Sequence, residues 1–244
     1  LAIDWYRDRI EDIHEDWKKR VRDLDALPLL AERFTSLDAF LAEVALDPAG
    51  AAAAVGAASG WAVRMSNNAN NNTFKRCVIR TSETSTSSSF AAFTLTQSAT
   101  AATGTQTGTA SNLLIDSCQI VGGYYGLCLN GSGLSLASQP TNNTVRNTSI
   151  SNFYIYGVYS YGQNNLTFEY NDINRLTRAT VSTCYGLYNY GRNPGLKVVA
   201  NRIHDLGGSN GTTAFVSYLI YFSSTSGTAA SPVLVANNAI YNVN

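Results

Sequence analysis

Histidine is nearly missing from this chain: 244 residues carry two, His14 and His204, far apart. A multi-histidine metal centre needs clustered ligands and has nothing to build on here. The four cysteines form no C-x-x-C pair, so zinc and dithiol redox chemistry lack a motif, and no metal or cofactor is expected. There is no G-x-x-x-x-G-K-[ST] phosphate loop, and no G-x-G-x-x-G at a strand-to-helix junction, which leaves a nucleotide site unsupported. No run approaches the ~18 apolar residues of a membrane span. Charge is scarce as well, at 14% against about 25% in ordinary globular domains.

The charges that exist are unevenly placed. Residues 1–50 hold 7 basic and 12 acidic side chains of the 17 and 17 in the chain. The positive excess that remains beyond residue 50 is spread too thinly for a nucleic-acid footprint. No charged n-region and apolar h-region open the sequence, which begins at Leu1, so any export signal is expected outside it.

The charged first fifth reads as helical. Ile3, Tyr6, Ile10, Ile13, Trp17, Val21 and Leu24 recur at steps of three and four, with Asp8, Glu11, Asp12, Glu15, Lys18 and Lys19 opposite. Pro28 suits the start of a second helix, Ser36 caps a third, and Asp47-Pro48 ends it. Residues 1–48 are therefore expected to form a small α-helical cap or a fused helical segment. Residues 49–71, rich in Ala, Gly and Asn, are expected to form a junction. The stretch RDLDALPLLAERFTSLDAFLAEVALDPAGA looks like a non-catalytic segment of superfamily 1 DNA helicases of the UvrD and Rep type. The histidine–arginine–alanine–lysine–glycine motif that follows in that family is absent from residues 51–63, so the resemblance carries no helicase activity.

Repeats decide the rest. NTFKRCVI (72–79), LLIDSCQI (113–120), NTVRNTSI (143–150), LTFEYNDI (166–173), LKVVANRI (196–203) and VLVANNAI (233–240) align without gaps. The third position is apolar throughout, the eighth is always Ile, and the sixth runs Cys77, Cys118, Thr148, Asn171, Asn201, Asn238. A second phrase follows as YGLCLNG, YGVYSYG and YGLYNYG, with looser versions at FAAFTL (90–95) and SYLIYF (217–222). Successive isoleucines lie 41, 30, 23, 30 and 37 residues apart, so the shortest step defines the unit and the others carry insertions. A unit this short, with brief apolar–polar alternations and variable loops, describes a solenoid of parallel strands stacked about 4.8 Å apart.

The odd offset between positions three and six implies a bend, and the Tyr-Gly phrase adds a third strand. This pattern resembles the right-handed parallel β-helix of the pectin-lyase-like superfamily. A mainly β fold of about six turns is expected over 72–244, with residues 81–111, rich in Ser and Thr, as an exposed insertion. Sixth-position side chains should hydrogen-bond along the stack as amide ladders do. Cys77 and Cys118, one turn apart, are within disulfide range by Cα spacing, while their parallel Cβ directions favour thiols.

The resemblance implies a carbohydrate-active lyase or hydrolase, with acids and bases on one exposed strand stack. The fourth repeat position supplies the candidates Asp116, Arg146 and Glu169 below Lys75, the two acids spaced by two rungs, about 9–10 Å, near the upper end of inverting-hydrolase geometry. Alternating charges in a stack are equally ordinary cross-strand pairs, as are Asp172 with Arg202 and Arg175 with Asp205. Tyrosines give a second candidate. If Leu127, Val158, Leu187 and Ile220 point inward, period two sends Tyr159, Tyr188 and Tyr221 outward, with Tyr161 and Tyr190 beside them. Such a strip either binds sugar rings or packs against itself to shield the sheet. The reading is an extracellular or surface scaffold binding polysaccharide or another cell-surface glycan. The alternatives are the lyase or hydrolase, and a chimeric chain with no single function.

Overall fold

A computed structural model describes residues 59–104, 108–132, 138–209 and 215–243. The expected helices of 1–48, the helicase-like stretch and the first ten junction residues lie outside the described residues. Within the stretch read as junction, Gly60–Met65 forms a strand.

Among the described residues, eighteen strands fall into six rungs of three. The first rung is β1 (Gly60–Met65), β2 (Thr73–Lys75) and β3 (Val78–Arg80), and the second is β4 (Phe90–Leu95), β5 (Leu114–Asp116) and β6 (Gln119–Val121). The third is β7 (Tyr125–Asn130), β8 (Thr144–Arg146) and β9 (Ser149–Ser151), and the fourth β10 (Tyr156–Tyr161), β11 (Thr167–Glu169) and β12 (Asp172–Asn174). The fifth is β13 (Cys184–Arg192), β14 (Lys197–Val199) and β15 (Arg202–His204), and the sixth β16 (Ser217–Ser226), β17 (Leu234–Ala236) and β18 (Ala239–Tyr241). Each strand pairs with the strands three before and three after it, giving three six-stranded parallel sheets. That topology is a parallel β-helix.

The register follows the repeat residue for residue. Phe74, Ile115, Val145, Phe168, Val198 and Val235 stand in one column. Ile79, Ile120, Ile150, Ile173, Ile203 and Ile240 stand in another. From Ile120 to Ile203 these isoleucines are completely buried, each contributing about 1.5–3 kcal/mol relative to exposure.

The bend between the second and third sheets is built at positions five and six. Arg76, Ser117, Asn147, Tyr170, Ala200 and Asn237, the fifth residues, all have φ between +50° and +57°. That left-handed step turns the chain between two three-residue strands. The sixth residues then satisfy the backbone of the rung before: Asn201 Oδ1 accepts from Asn171 N at 3.0 Å and Asn238 Oδ1 from Asn201 N at 3.0 Å. The ladder continues through Asn171 to Thr148 N (3.1 Å), Thr148 to Cys118 N (3.3 Å) and Cys118 Sγ to Cys77 N (3.5 Å). Both cysteines are free thiols.

The expected exposed insertion at 81–111 is corrected by its middle. Phe90–Leu95 is the second strand of the first sheet and is buried at all six positions. The strand is the FAAFTL phrase itself, so only its serine- and threonine-rich flanks are inserted.

Candidate functional site

The tyrosines of the first sheet form columns along the solenoid axis. Cys128, Tyr159, Tyr188 and Tyr221 share one column, and Asn130, Tyr161 and Tyr190 the next. These are the five tyrosines that alternation singled out. A further column of Tyr125, Tyr156, Tyr185 and Tyr218 lies beside them, which alternation missed. Counting back by two from inward Val158 would bury Tyr156. Instead Gly157 and Val158 both face the core, since a Cβ on Gly157 would lie 2.8 Å from Ile173 Cγ2. The glycine of each Tyr-Gly phrase lets the strand slip one step and turns the preceding ring outward.

The rings pack as a herringbone. Along the first column they stack face to face: Tyr125–Tyr156 at 5.2 Å, Tyr156–Tyr185 at 4.9 Å and Tyr185–Tyr218 at 4.9 Å, within 10° of parallel. Tyr159–Tyr188 and Tyr188–Tyr221, both at 5.3 Å, stack too, at 10° and 17°. Between columns the rings meet edge to face, as Tyr156–Tyr159 (5.5 Å, 81°) and Tyr185–Tyr188 (5.2 Å, 79°). Both arrangements suit the ring quadrupole. Inside the columns ring faces are consumed by neighbouring rungs, so what the strip turns outward is ring edges and hydroxyls.

Those hydroxyls are unbonded. None of them bonds a described residue, and none is among the buried polar atoms left without a partner, which are Trp61 Nε1, Gln139 Oε1, Arg146 Nε and Asn189 Nδ2. Burial pushes the phenols of Tyr125, Tyr156 and Tyr159 well above the ordinary tyrosine range, neighbouring phenols adding to the effect. They are neutral donors across the usual pH range.

The charged column is built differently. Lys75, Asp116, Arg146 and Glu169 are neighbours in register. Asp116 is buried; Arg146 approaches its Oδ2 at 3.1 Å and Lys75 at 3.9 Å. Asn147 Nδ2 (3.2 Å) and Ser117 Oγ (3.0 Å) donate to its Oδ1. The Asn147 hydrogen bond first, with those from Ser117 and Arg146, holds this carboxyl below the usual range against its own desolvation. It is a clamped, ionised carboxylate, the wrong form for a general acid. Arg146 turns toward Asp116, and no ion pair joins it to Glu169 among the described residues.

No family model, no curated protein and no solved structure matches the chain.

Three further polar features lie apart from the tyrosine strip and the charged column. His204 sits on the third sheet with Nδ1 2.6 Å from Asp205 Oδ2 and Nε2 3.2 Å from Asp172 Oδ1, its ring stacked on Tyr241 at 4.6 Å. Asp172 also pairs with Arg202, as the sequence anticipated. The expected Arg175–Asp205 pair is corrected: Arg175 turns inward and donates to Leu206 O (2.6 Å), Tyr154 O (2.6 Å) and Ser182 O (3.5 Å). Arg178, also buried, donates to Asn152 O and Ser85 O, tying loop 81–89 to loop 175–183. Carbonyl oxygens replace a carboxylate around both guanidiniums, and burial lowers the affinity of each for its proton. Last, a shallow polar groove of about 390 Å³ lies on the second sheet between Asn142, Thr144, Asn165, Thr167 and Lys197, away from the tyrosines.

Proposed function

We propose that the chain is an extracellular or surface-displayed β-helix scaffold, related to the pectin-lyase-like superfamily, that holds polysaccharide against the tyrosine strip. The observation that carries this reading is the lattice of unbonded phenol hydroxyls, one per rung in each column, on rings whose centroids stack 4.9–5.3 Å apart. An extended glycan lying along the axis offers hydroxyls at comparable intervals, so donors and acceptors fall in register over several sugars. Recognition works through hydroxyls and ring edges, because the faces are already stacked. Low charge around the strip favours a neutral polymer, and such binding survives raised salt because screening acts on exposed charges.

The test uses two triple variants at Tyr159, Tyr188 and Tyr221. Replacement by Ala removes rings and hydroxyls; replacement by Phe keeps the herringbone and removes the hydroxyls alone. Both are expected to lose retention on insoluble polysaccharides while far-ultraviolet circular dichroism stays unchanged. Full retention by the Phe triple would refute the hydroxyl-lattice reading, and full retention by the Ala triple would refute the strip as a binding site. The lyase or hydrolase alternative has no favouring observation, since Asp116 is committed to Arg146, Asn147 and Ser117. Product release from acidic glycans that disappears in Asp116→Asn would reinstate it.

A further inference from the structure

The outermost tyrosine column differs from its neighbours. Tyr161 and Tyr190 stack at 5.1 Å and 19°. Tyr156 by contrast is gripped by Tyr125 and Tyr185 on its faces and by Tyr159 and Tyr188 at its edges, and Tyr188 is held in the same way. Among the described residues, neither ring of the outer pair contacts any aromatic ring except the other. Tyr190 is 39% exposed. Gly191, at φ +73°, lies under the edge of Tyr161, where a Cβ would come within 2.9 Å of Cε2. A bare glycine therefore leaves that edge, one of the two carbons ortho to the hydroxyl, room to swing.

The geometry points to Tyr161 and Tyr190 as a site of oxidative cross-linking, at which a peroxide-driven one-electron oxidant joins adjacent turns through a dityrosine bond. Each phenol, whose oxygen bonds no described residue, gives up one electron to the oxidant and its hydroxyl proton to water. The two phenoxyl radicals couple through a carbon ortho to each oxygen, forming one carbon–carbon bond. The hydrogen on each coupled carbon then leaves as a proton while the oxygens are reprotonated, restoring two aromatic phenols. Two electrons and two protons leave in all, and one hydrogen peroxide takes them up to become two waters. The bond ties β10 to β13 covalently. Pairs inside the herringbone react less, because coupling demands that stacked faces open into an edge-linked biaryl, and their edges are held by the next column.

The experiment treats the intact folded chain with hydrogen peroxide and a haem peroxidase. The expected product is a monomer on denaturing gels, lighter by two hydrogens, with dityrosine fluorescence and a linked peptide pair containing positions 161 and 190. Its urea midpoint should rise relative to untreated protein. Tyr190→Phe and Tyr161→Phe, which keep the stack, should each abolish that linked pair, whereas Tyr125→Phe should leave it intact. Yield should be severalfold higher from the folded chain than from the same chain in urea. A link found only between molecules, a yield equal in folded and unfolded chains, or a fluorescent monomer that persists in Tyr190→Phe would each overturn the assignment. This test is independent of glycan retention, so either result can stand without the other.

Discussion

Asn201 shows how much one side chain carries in a stack. Its Oδ1 accepts from both the backbone and side-chain nitrogens of Asn171, and its Nδ2 donates to Phe168 O, all at 3.0 Å. Asn201→Ala would strand the buried Asn171 N–H and take a donor from the Phe168 carbonyl. At about 1–3 kcal/mol for an orphaned buried group, the expected loss is about 3 kcal/mol, measured as a lower urea midpoint. The chain contains its own milder substitution: Thr148 fills the same position, accepting from Cys118 N and donating to Arg146 O at 2.8 Å. Asn201→Thr should therefore cost about half as much as Asn201→Ala. Equal losses would show that the ladder acts through packing and not through its acceptors. Ala200 beside it has φ +55°, and the same left-handed step is taken at that position by Arg, Ser, Asn and Tyr in other rungs. Residue type there gave no signal in the sequence, because the corner geometry overrides the intrinsic preference against that region.

At the scale of an element, the tyrosine columns couple stability to alkaline pH. The folded state holds the phenolic protons of Tyr125, Tyr156 and Tyr159 more tightly than an unfolded chain does, because desolvation penalises the phenolate. A raised folded value means the stabilising contribution is complete below the unfolded value of about 10 and is lost as pH climbs above it. The thiols act in the same sense and begin lower: burial pushes Cys184 up to about 11 and Cys128 up to about 12, from 9.0. The urea midpoint is expected to hold level to about pH 9 and then fall steadily, with the ultraviolet signature of tyrosinate appearing in step with unfolding. Tyrosinate forming fully near pH 10 with no loss of structure would show the columns to be open to water. The same elements show what the sequence displayed and what it concealed. Eighth-position isoleucines, third-position apolar residues and sixth-position amides were legible because each recurs at a fixed offset and each does one job. Tyr156 and Tyr185 were not, because a glycine breaks period two just where the rule was applied. Phe90–Leu95 was legible as a loose copy of the Tyr-Gly phrase but was placed inside an exposed insertion because of its flanks, and inward Arg175 was read as a surface charge because nothing local says that its partners are carbonyls.

For the whole molecule, the β-helix makes a residue's worth depend on its rung as well as its column. Each turn is covered by the next, and stability is close to a sum of rung terms and rung–rung interfaces. Ile173 and Ile240 occupy one column two rungs apart, yet Ile173 is 0% exposed and Ile240 is 48% exposed. Val235 and Phe222, on the other two faces of the same sixth rung, are exposed in the same way. An aspartate at position 173 would be enclosed by Ile150 and Ile203 with no partner, and unpaired buried charge belongs to the few mechanisms that exceed about 4 kcal/mol. Ile240→Asp keeps its carboxylate in water and forfeits only half-buried apolar area, about 1 kcal/mol. Tyr188→Ala should fall between them at about 1–3 kcal/mol, since it deletes ring stacking in a half-buried row without burying charge. Urea titrations of the three variants should rank Ile173→Asp far below Tyr188→Ala, with Ile240→Asp nearest the parent. If Ile240→Asp were as damaging as Ile173→Asp, the isoleucine of the sixth rung would be as enclosed in solution as that of the fourth.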